Sequence, residues 1–420
     1  MKPKGFFGSI APNTTVTFLI KKAITGKDMQ DLFANRMKDV HNSFTREILK
    51  FTSDPEIISF AGGLPNPKLF PIEEIAEASV KVLKEAGEDV LQYNATEGYL
   101  PLRRYIAKRY LKKDGLKISP DEILITNGSQ QGLDLTSKTF LNEGDGVILE
   151  SPSYLGAIQA FSMYRPTFQT IPLLEDGIET NSLRGTLEKS DFKLFYAVPN
   201  FQNPSGISYA KEKRIEVAEI LKNHNTILVE DDPYSELRFS GTPLPPLNKY
   251  LESRSIMLGT FSKTVSPSFR IGWIYAPEWM IEKINIAKQA SDLHTSYFTQ
   301  RVMFQFLSDN DLDSHISKLR DAYKRQRDCM IDAIEEHFPE DVSYIKPEGG
   351  MFIWVRLPNG LSSMKLFNIA IKEDVAFVPG EAFYAGEVEK GTLRLNYSST
   401  SEEKIEEGIK RLACIIKDLY

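Results

Sequence analysis

Short apolar runs alternate with helical patterns between about residues 122 and 277 of the chain. The runs are almost continuously hydrophobic and lie at residues 123–126, 146–149, 192–198, 226–230, 255–258 and 271–275. Such continuity is typical of strands that are buried on both faces, as in a mainly parallel sheet covered by helices. The pattern therefore predicts an α/β domain, in which ligands gather beyond the carboxyl ends of the strands.

A second, smaller α+β region is predicted after this domain. A long helical pattern from about residue 281 to 336 precedes apolar segments at 348–356, 375–380 and 391–397, and an amphipathic helix closes the chain from Ser401 to about Asp418. Segment 37–51 also has a helical pattern. We expect a leader of unknown structure at residues 1–38, a segment packing on the small domain at 39–60, a large domain at 61–309 and a small C-terminal domain at 310–420.

The composition of the chain argues against several kinds of partner and site. The 420 residues are 41% hydrophobic, enough for a large core, and carry a net charge of -6 without a basic block, which argues against nucleic acid and membrane partners. Cys329 and Cys414 lie far apart and the five histidines have no ligand spacing, so we expect neither a disulfide framework nor a metal site. A reducing, cytoplasmic location is the simplest expectation.

Lys263 is the most informative residue. It lies among hydroxyls in the stretch Gly259-Thr260-Phe261-Ser262-Lys263, just after an apolar run and seven residues before Arg270. An amine at a strand end, beside groups suited to an anion, can hold an aldehyde cofactor that carries a phosphate. Taken alone, a lysine between serines is more often a solvated surface residue.

Polar side chains follow the other runs in the same way. Ser129 opens a helix after a glycine turn, where free N–H groups suit a phosphate. Tyr154 can stack on a flat ring, and Asn203 can offer an amide. Asp231 and Tyr234 can supply a carboxylate to a pyridinium nitrogen and a phenol to a ring oxygen. Each also has an ordinary interpretation as a cap, turn or packing residue, but together five strand ends carry compatible parts of one site.

With these residues the chain resembles the fold-type I pyridoxal phosphate (PLP) enzymes of the class I aminotransferase group, from about Asp39 to the C-terminus. Within that group it is similar to the branch of 2-aminoadipate and kynurenine/aminoadipate aminotransferases. The motifs that carry the resemblance are Ser59-Phe60-Ala61-Gly62-Gly63-Leu64-Pro65, Leu91-Gln92-Tyr93, Gly128-Ser129-Gln130-Gln131, Glu230-Asp231-Asp232-Pro233-Tyr234, the stretch 259–272 and Arg394-Leu395. The resemblance implies a large domain with a mainly parallel sheet, a smaller α+β domain, and a homodimer whose active sites are shared across the interface.

The resemblance also implies roles around the ring of the cofactor. Lys263 would hold PLP as a Schiff base and shuttle the substrate proton. Asp231 would pair with the pyridine nitrogen, and Tyr234 and Asn203 would bind the ring hydroxyl oxygen. Tyr154 would stack on the ring.

Further implied roles concern the phosphate and the substrate. Arg394 would take the substrate α-carboxylate beside Asn203, and Gly62 and Gly63 would let the backbone approach the substrate. The implied phosphate ligands are Ser129, Gln130, Thr260, Ser262, Arg270 and, from the other subunit, Tyr93.

The expected reaction is transfer of an amino group from an L-amino acid to a 2-oxo acid by a ping-pong mechanism. The donor would be 2-aminoadipate, glutamate, or an aromatic or branched amino acid, with 2-oxoglutarate as the acceptor. Arg46 matches the arginine that meets an acidic substrate side chain in the aminoadipate branch, although a surface arginine paired with Glu47 is an equal alternative.

Other functions on the same fold are a PLP-dependent β-lyase or decarboxylase, or a non-catalytic PLP-binding regulator. The roughly 38 residues ahead of the matched region are expected to be too few for a DNA-binding module, and every catalytic position of the family has its residue.

Overall fold

The computed structural model describes residues 33–37, 54, 56–251, 253–358 and 361–419. Residues 43–420 form one compact unit and residues 1–42 another. Arg46, most of the expected leader and nearly all of the predicted helix at 37–51 lie outside the described residues. Asn35–Met37 is a short 3-10 helix in the smaller unit, and the strands and helices named next belong to the larger one.

An eight-stranded sheet forms the centre of the larger unit. The strands of this unit are β1 (Ile58–Ser59), β2 (Ile123–Asn127), β3 (Gly146–Ser151), β4 (Thr167–Leu174), β5 (Gly177–Ile178), β6 (Leu194–Ala197), β7 (Ile227–Asp231), β8 (Ser255–Thr260), β9 (Ile271–Tyr275), β10 (Ser343–Tyr344), β11 (Phe352–Arg356), β12 (Val375–Ala376), β13 (Val378–Pro379) and β14 (Thr392–Asn396). The strand order in the eight-stranded sheet is β2-β9-β8-β7-β6-β3-β4-β5. Strands β8, β7, β6, β3 and β4 run parallel, whereas β9 pairs antiparallel with both β2 and β8. The predicted mainly parallel sheet is therefore confirmed.

Helices cover both faces of this sheet. In strand β2, Ile123 and Ile125 join the core on one face, whereas Leu124 between them joins the core on the other. Strands with two buried faces need no polar alternation, which explains the continuous apolar runs in the sequence. The helices are α1 (Ile72–Ala86), α2 (Leu100–Asp114), α3 (Ser129–Phe140), α4 (Leu155–Ser162), α5 (Thr180–Lys189), α6 (Lys211–Lys222), α7 (Glu278–Asp292), α8 (Tyr297–Asp309), α9 (Leu312–His337), α10 (Ser363–Ala370) and α11 (Glu402–Asp418).

A smaller antiparallel sheet, in the order β10-β11-β14-β13, lies in the C-terminal part. A separate parallel pair, β1 with β12, ties the segment around Ile58 to this region through Val375. Phe60 continues that tie, because its carbonyl accepts a 2.9 Å hydrogen bond from the backbone N–H of Asn396. This pairing brings the glycines that follow Phe60 close to Arg394 on β14.

Two features differ from the sequence patterns. The long helical pattern at 281–336 is three helices, because Leu293 has a positive φ of 64° and because Ser296 and Asp311 cap the helices that follow. Strand β4 had no predicted counterpart. Its residues alternate between exposed and more buried positions near the sheet edge, so it lacks a continuous apolar run. Among the described residues, no helix is long and apolar enough to cross a membrane.

Candidate active site

The anion cradle lies where strand β2 turns into helix α3. Gly128 caps the helix with φ 74°, and Ser129 is the first helical residue, so free N–H groups of the first turn point out of the helix end. The Arg270 guanidinium lies against this turn, since a Cβ at Gly128 would sit 2.4 Å from its Nη2. Arg270 Nη2 also donates to the carbonyl of Asn127 at 3.1 Å. A cation and a helix N-terminus therefore meet at one place, as a phosphate site requires.

Strand β9 brings the end of β8 to the same place. Gly272 pairs with Thr126 on one side and with Thr260 on the other. A Cβ at Gly272 would lie 2.6 Å from the Ser129 nitrogen, so a glycine is needed for this close approach. Thr260 donates its hydroxyl to Ser262 Oγ at 2.9 Å, and both residues are buried. The expected phosphate ligands of β8 thus lie next to those of α3.

An ion pair between a buried lysine and a partly exposed aspartate lies next to this turn. Lys288 on α7 is fully buried, and its Nζ lies 2.9 Å from Asp292 Oδ1. Asp292 accepts hydrogen bonds from the side-chain amides of Asn127 (2.6 Å) and Gln131 (2.7 Å). Gln131 Oε1 in turn accepts from Lys288 Nζ and from the Asn127 backbone. The network fixes the end of β2 against the first turn of α3.

Asp231 is the last residue of strand β7, and only one oxygen of its buried carboxylate accepts a hydrogen bond. Its Oδ2 accepts a 2.9 Å hydrogen bond from the Tyr196 hydroxyl, whereas Oδ1 is buried without a partner among the described residues. Burial raises the pKa of Asp231 to about 7, while the Tyr196 hydrogen bond and the charge of Lys263 act to lower it. An orphaned buried acceptor is costly unless a ligand donates to it.

Lys263 lies in the turn after strand β8, and its amine donates a 2.7 Å hydrogen bond to the carbonyl of Gly63. Burial, together with the positive charges of Arg394 and Arg270, lowers its pKa to about 8 against the opposing effect of Asp231. The amine is therefore partly neutral near pH 8, which a nucleophilic or proton-accepting lysine requires.

Arg394 is a buried cation on strand β14. Its guanidinium donates to Asn203 Oδ1 at 2.8 Å and to the Ala61 carbonyl at 2.6 Å, and it lies over the rings of Phe352 and Phe383 at 4.3 and 5.2 Å. Nε has no partner, and no carboxylate among the described residues pairs with Arg394. Burial lowers its pKa to about 10. A buried guanidinium with a free donor is suited to an incoming carboxylate.

Three further predicted residues complete this cluster. The Tyr234 hydroxyl accepts a hydrogen bond from the side chain of Asn203, and burial raises the pKa of Tyr234. Tyr154 precedes helix α4, and its hydroxyl lies 3.4 Å from Gln130 Oε1. Burial raises the pKa of Tyr154 to about 12. Both phenols are therefore protonated donors at neutral pH.

Most predicted site residues thus come together. Gly62 follows Ala61, whose carbonyl accepts from Arg394, and the carbonyl of Gly63 accepts from Lys263. Tyr93 does not join them within one chain. Its side chain is 76% exposed and packs edge-on against the His294 ring.

Sequence reasoning missed Tyr196 and the Lys288–Asp292 pair, because a tyrosine in an apolar run and a lysine on a helix have the pattern of ordinary core and surface residues.

Comparison with known proteins agrees with this arrangement. The family model described as "Aminotransferase class I and II" matches residues 55–412. The chain belongs to this family. The aromatic-amino-acid aminotransferase 1 of Thermococcus litoralis is 42% identical to this aminotransferase over 397 residues, which is 93% of this chain and 95% of the relative.

Solved structures of aminotransferases are also similar to this chain. The kynurenine aminotransferase of Pyrococcus horikoshii, in complex with PMP, is 45% identical with a TM-score of 0.90, covering 93% of this chain and 98% of that one. The α-aminoadipate aminotransferase of Thermus thermophilus, complexed with N-(5'-phosphopyridoxyl)-L-leucine, is 40% identical with a TM-score of 0.87 and the same coverage. The expected family and fold type I are therefore confirmed, and this enzyme is a PLP-dependent aminotransferase.

The residues present fit this cofactor. The orphaned Oδ1 of Asp231 is the acceptor that a protonated pyridine nitrogen needs. The N-terminus of α3 beside Arg270 suits a phosphate dianion. Lys263 supplies an amine whose pKa is already lowered.

Proposed function

We propose that this aminotransferase transfers the amino group of an aromatic amino acid, 2-aminoadipate, glutamate or a branched amino acid to 2-oxoglutarate. The two half-reactions would follow a ping-pong order, in which the first oxo acid leaves before the second enters. The observation that carries the proposal is the buried guanidinium of Arg394, which has a free donor and lies close enough to Lys263 to lower the pKa of its amine. The names of the relatives from Thermococcus litoralis and Thermus thermophilus support the substrate range.

PLP, bound to Lys263, supplies an electron sink for the electrons left when the substrate α-proton departs. Asp231 keeps the ring nitrogen protonated, and Tyr234 and Asn203 donate to the ring hydroxyl oxygen. Tyr154 covers one face of the ring. The proposed phosphate ligands are Ser129, Gln130, Thr260, Ser262, Arg270 and Tyr93 of the partner subunit.

Lys263 has two tasks in this proposal. Its amine would hold the cofactor, and its neutral Nζ would accept the proton from the substrate α-carbon. The lowered pKa of the amine supports this role, because an ammonium group cannot accept a proton. Its hydrogen bond to the Gly63 carbonyl holds the free amine in the site.

Arg394 would orient the substrate by binding its α-carboxylate. A two-pronged contact of this kind contributes about 1.5–3 kcal/mol when partly desolvated. The rings of Phe352 and Phe383 and the hydrogen bonds to Asn203 and Ala61 hold the guanidinium in place before the substrate arrives. Binding therefore requires little reorganisation of the arginine.

Recognition of an acidic side chain is proposed for Arg46, on the family resemblance alone. Glutamate, 2-aminoadipate and leucine would be compared as donors for the wild type and Arg46→Ala. We expect a loss of at least tenfold in kcat/KM on the two acidic donors and little change on leucine. An equal loss on all three donors would remove the side-chain role.

A homodimer is proposed because Tyr93 and Leu91 are large side chains that are 76% and 71% exposed in one chain. Exposed aromatic and aliphatic side chains beside a site are typical of an interface. Tyr93 would then reach the phosphate of the partner's site.

The test of the proposed function is product analysis of a single turnover. The PLP-loaded enzyme is mixed with phenylalanine, kynurenine, 2-aminoadipate, glutamate and leucine in turn, and the visible spectrum of the cofactor and the released product are followed. We expect an oxo acid together with the pyridoxamine form of the cofactor. A parallel incubation with cystathionine, which carries a leaving group on its β-carbon, tests for a β-lyase through the release of ammonia and pyruvate, and carbon dioxide from any donor would indicate a decarboxylase. Either result in place of the oxo acid overturns the proposal.

A further inference from the structure

Tyr196 reaches Asp231 across two neighbouring parallel strands. Tyr196 on β6 is in register with Val229 on β7, so Asp231 lies two residues further along the same face. The Tyr196 hydroxyl donates to Asp231 Oδ2 at 2.9 Å. Tyr196 is fully buried and Asp231 is only 3% exposed, so water does not compete for this bond.

The position of the hydroxyl is fixed by packing. The Tyr196 ring meets the ring of Phe161 edge-on, with their centroids 5.7 Å apart, inside the main core. Burial and the negative charge of Asp231 both raise the pKa of Tyr196 well above its ordinary value. The phenol therefore stays protonated over the working pH range and acts towards Asp231 as a donor.

The hydrogen bond from Tyr196 engages one oxygen of the Asp231 carboxylate and leaves the other free. Oδ2 is held by Tyr196, and Oδ1 is the buried atom without a partner. A carboxylate that is anchored through one oxygen cannot rotate freely, so its other oxygen keeps one direction. This division of the two oxygens is what a fixed partner of a ring N–H needs.

We propose that Tyr196 is a positioning residue that keeps Asp231 ionised and directs its free oxygen to the ring nitrogen of PLP. The inference rests on the proposed role of Asp231, and it adds a residue to which no role has been given. Tyr196 itself touches neither cofactor nor substrate in this proposal; it acts through Asp231.

The electrostatic surroundings explain why such a donor is needed. Burial and Asp232 raise the pKa of Asp231, whereas Tyr196 and Lys263 lower it. Tyr196 acts by donating a hydrogen bond directly to the carboxylate, whereas Lys263 acts only through its charge. The titratable groups that act on Asp231 or are acted on by it are Glu150, Tyr154, Tyr196, Asp232, Tyr234 and Lys263.

The test uses the full-length holoenzyme and the variant Tyr196→Phe, which removes one oxygen and keeps the ring. PLP affinity is measured by equilibrium dialysis, and the visible band of the bound cofactor is titrated from pH 5 to 9. We expect the Kd for PLP to rise about tenfold, as for loss of a hydrogen bond to a charged group. We also expect the midpoint of the visible titration to move to higher pH, because a ring nitrogen without its proton repels a second positive charge less.

Tyr209→Phe is the matched control. Tyr209 is also fully buried, and its hydroxyl also donates to a buried carboxylate, Glu150, at 2.7 Å. We expect this variant to keep the Kd for PLP within about twofold and to leave the visible titration unchanged. The same shift in both variants would mean that loss of any buried hydroxyl produces the effect, and would overturn the proposal.

Together with wild type and Tyr196→Phe, the variant Asp231→Asn and the double variant Asp231→Asn/Tyr196→Phe form a double-mutant cycle. If Tyr196 acts through Asp231, the double variant has the same Kd and titration as Asp231→Asn alone. An unchanged Asp231→Asn enzyme would contradict the proposed role of Asp231. A changed Asp231→Asn enzyme beside an unchanged Tyr196→Phe enzyme would overturn the Tyr196 proposal alone.

A second substitution covers the case in which Tyr196→Phe does not fold. Site-specific replacement of Tyr196 by 3-fluorotyrosine keeps the ring and the hydroxyl and makes the hydroxyl a stronger donor. We expect the visible titration to move to lower pH, opposite to the effect of Tyr196→Phe. No movement, or movement to higher pH, would overturn the proposal.

Discussion

Arg394 Nη1 donates a 2.8 Å hydrogen bond to Asn203 Oδ1, and this contact joins strand β14 of the small sheet to the loop after strand β6 of the large one. Asn203 also donates to the Tyr234 hydroxyl, so the proposed carboxylate site and the proposed ring-oxygen site share one amide. A change at Arg394 should therefore affect substrate binding first, and the cofactor through Asn203 and through the pKa of Lys263.

Replacement of Arg394 by lysine tests the carboxylate role. Lysine keeps the charge but loses the planar fork, so we expect kcat/KM for the amino acid to fall about tenfold to a hundredfold, the equivalent of about 1.5–3 kcal/mol. Steady-state kinetics would measure the fall, and equilibrium dialysis should show a PLP affinity within about threefold of wild type. Arg411→Lys, at a partly exposed arginine on α11, is the control. Equal kcat/KM for Arg394→Lys and the control would contradict the role.

The lowered pKa of Lys263 predicts a pH dependence of PLP uptake by the apoprotein. Only the neutral amine attacks an aldehyde, so the uptake rate should rise with pH and level off above a midpoint of about 8. Stopped-flow absorbance from pH 6 to 10 would measure it. Arg394→Ala removes a positive charge that lowers this pKa, so its midpoint should move to higher pH. A wild-type rate that still rises steeply between pH 9.5 and 10 would refute the prediction.

The Lys288–Asp292 pair should matter for both stability and cofactor binding. Asp292→Asn leaves the fully buried Lys288 without its counter-ion and weakens the contacts to Asn127 and Gln131. Breaking a buried pair costs about 3–5 kcal/mol, and partial exposure of Asp292 should reduce this to about 2. We expect a lower midpoint of thermal unfolding and a PLP Kd raised about fivefold to tenfold.

Two further variants serve as controls for this pair. Lys283→Met, at an exposed lysine of the same helix, should change neither quantity. The double variant Lys288→Met/Asp292→Asn should be less destabilised than the sum of its single variants, because it removes both charges together. Strict additivity would mean that the pair is not coupled.

Hybrid dimers test whether Tyr93 acts across the interface. Lys263→Ala and Tyr93→Ala chains are each expected to be impaired at limiting PLP. In a mixed dimer, the site with an intact Lys263 receives an intact Tyr93 from the partner chain, so activity should recover. Tagged chains are co-expressed, and the hybrid is purified and assayed at low PLP. If Tyr93 acted within its own chain, both sites of the hybrid would stay impaired and no recovery would be seen.

The sequence was sufficient to predict where these strands end and which polar side chains follow them. Lys263, Asp231 and Ser129 each follow a continuous apolar run, and the carboxyl ends of parallel strands meet at one edge of a sheet. Arg394 was identified through the resemblance to the family, because its strand belongs to the smaller sheet and comes to the site only through the fold.

Other features depend on tertiary contacts that leave no local pattern. The Tyr196 hydroxyl reaches Asp231 only because β6 lies beside β7, and within its apolar run Tyr196 is one more buried aromatic residue. Lys288 has the sequence pattern of a surface lysine, although the helix buries it one turn before its partner Asp292. The helix breaks near Leu293 and Asp311 interrupt an otherwise continuous amphipathic pattern, because capping rather than periodicity determines them.

The most direct test of the account compares wild type with Lys263→Ala in a single turnover with an aromatic amino acid. The variant should still bind PLP through the phosphate cradle and Asp231, whereas its formation of oxo acid should fall by about a thousandfold or more, since proton transfer and cofactor exchange both require this amine. Wild type should produce one oxo acid per active site without an added acceptor. Oxo acid formation by Lys263→Ala at a rate near that of wild type would contradict the account.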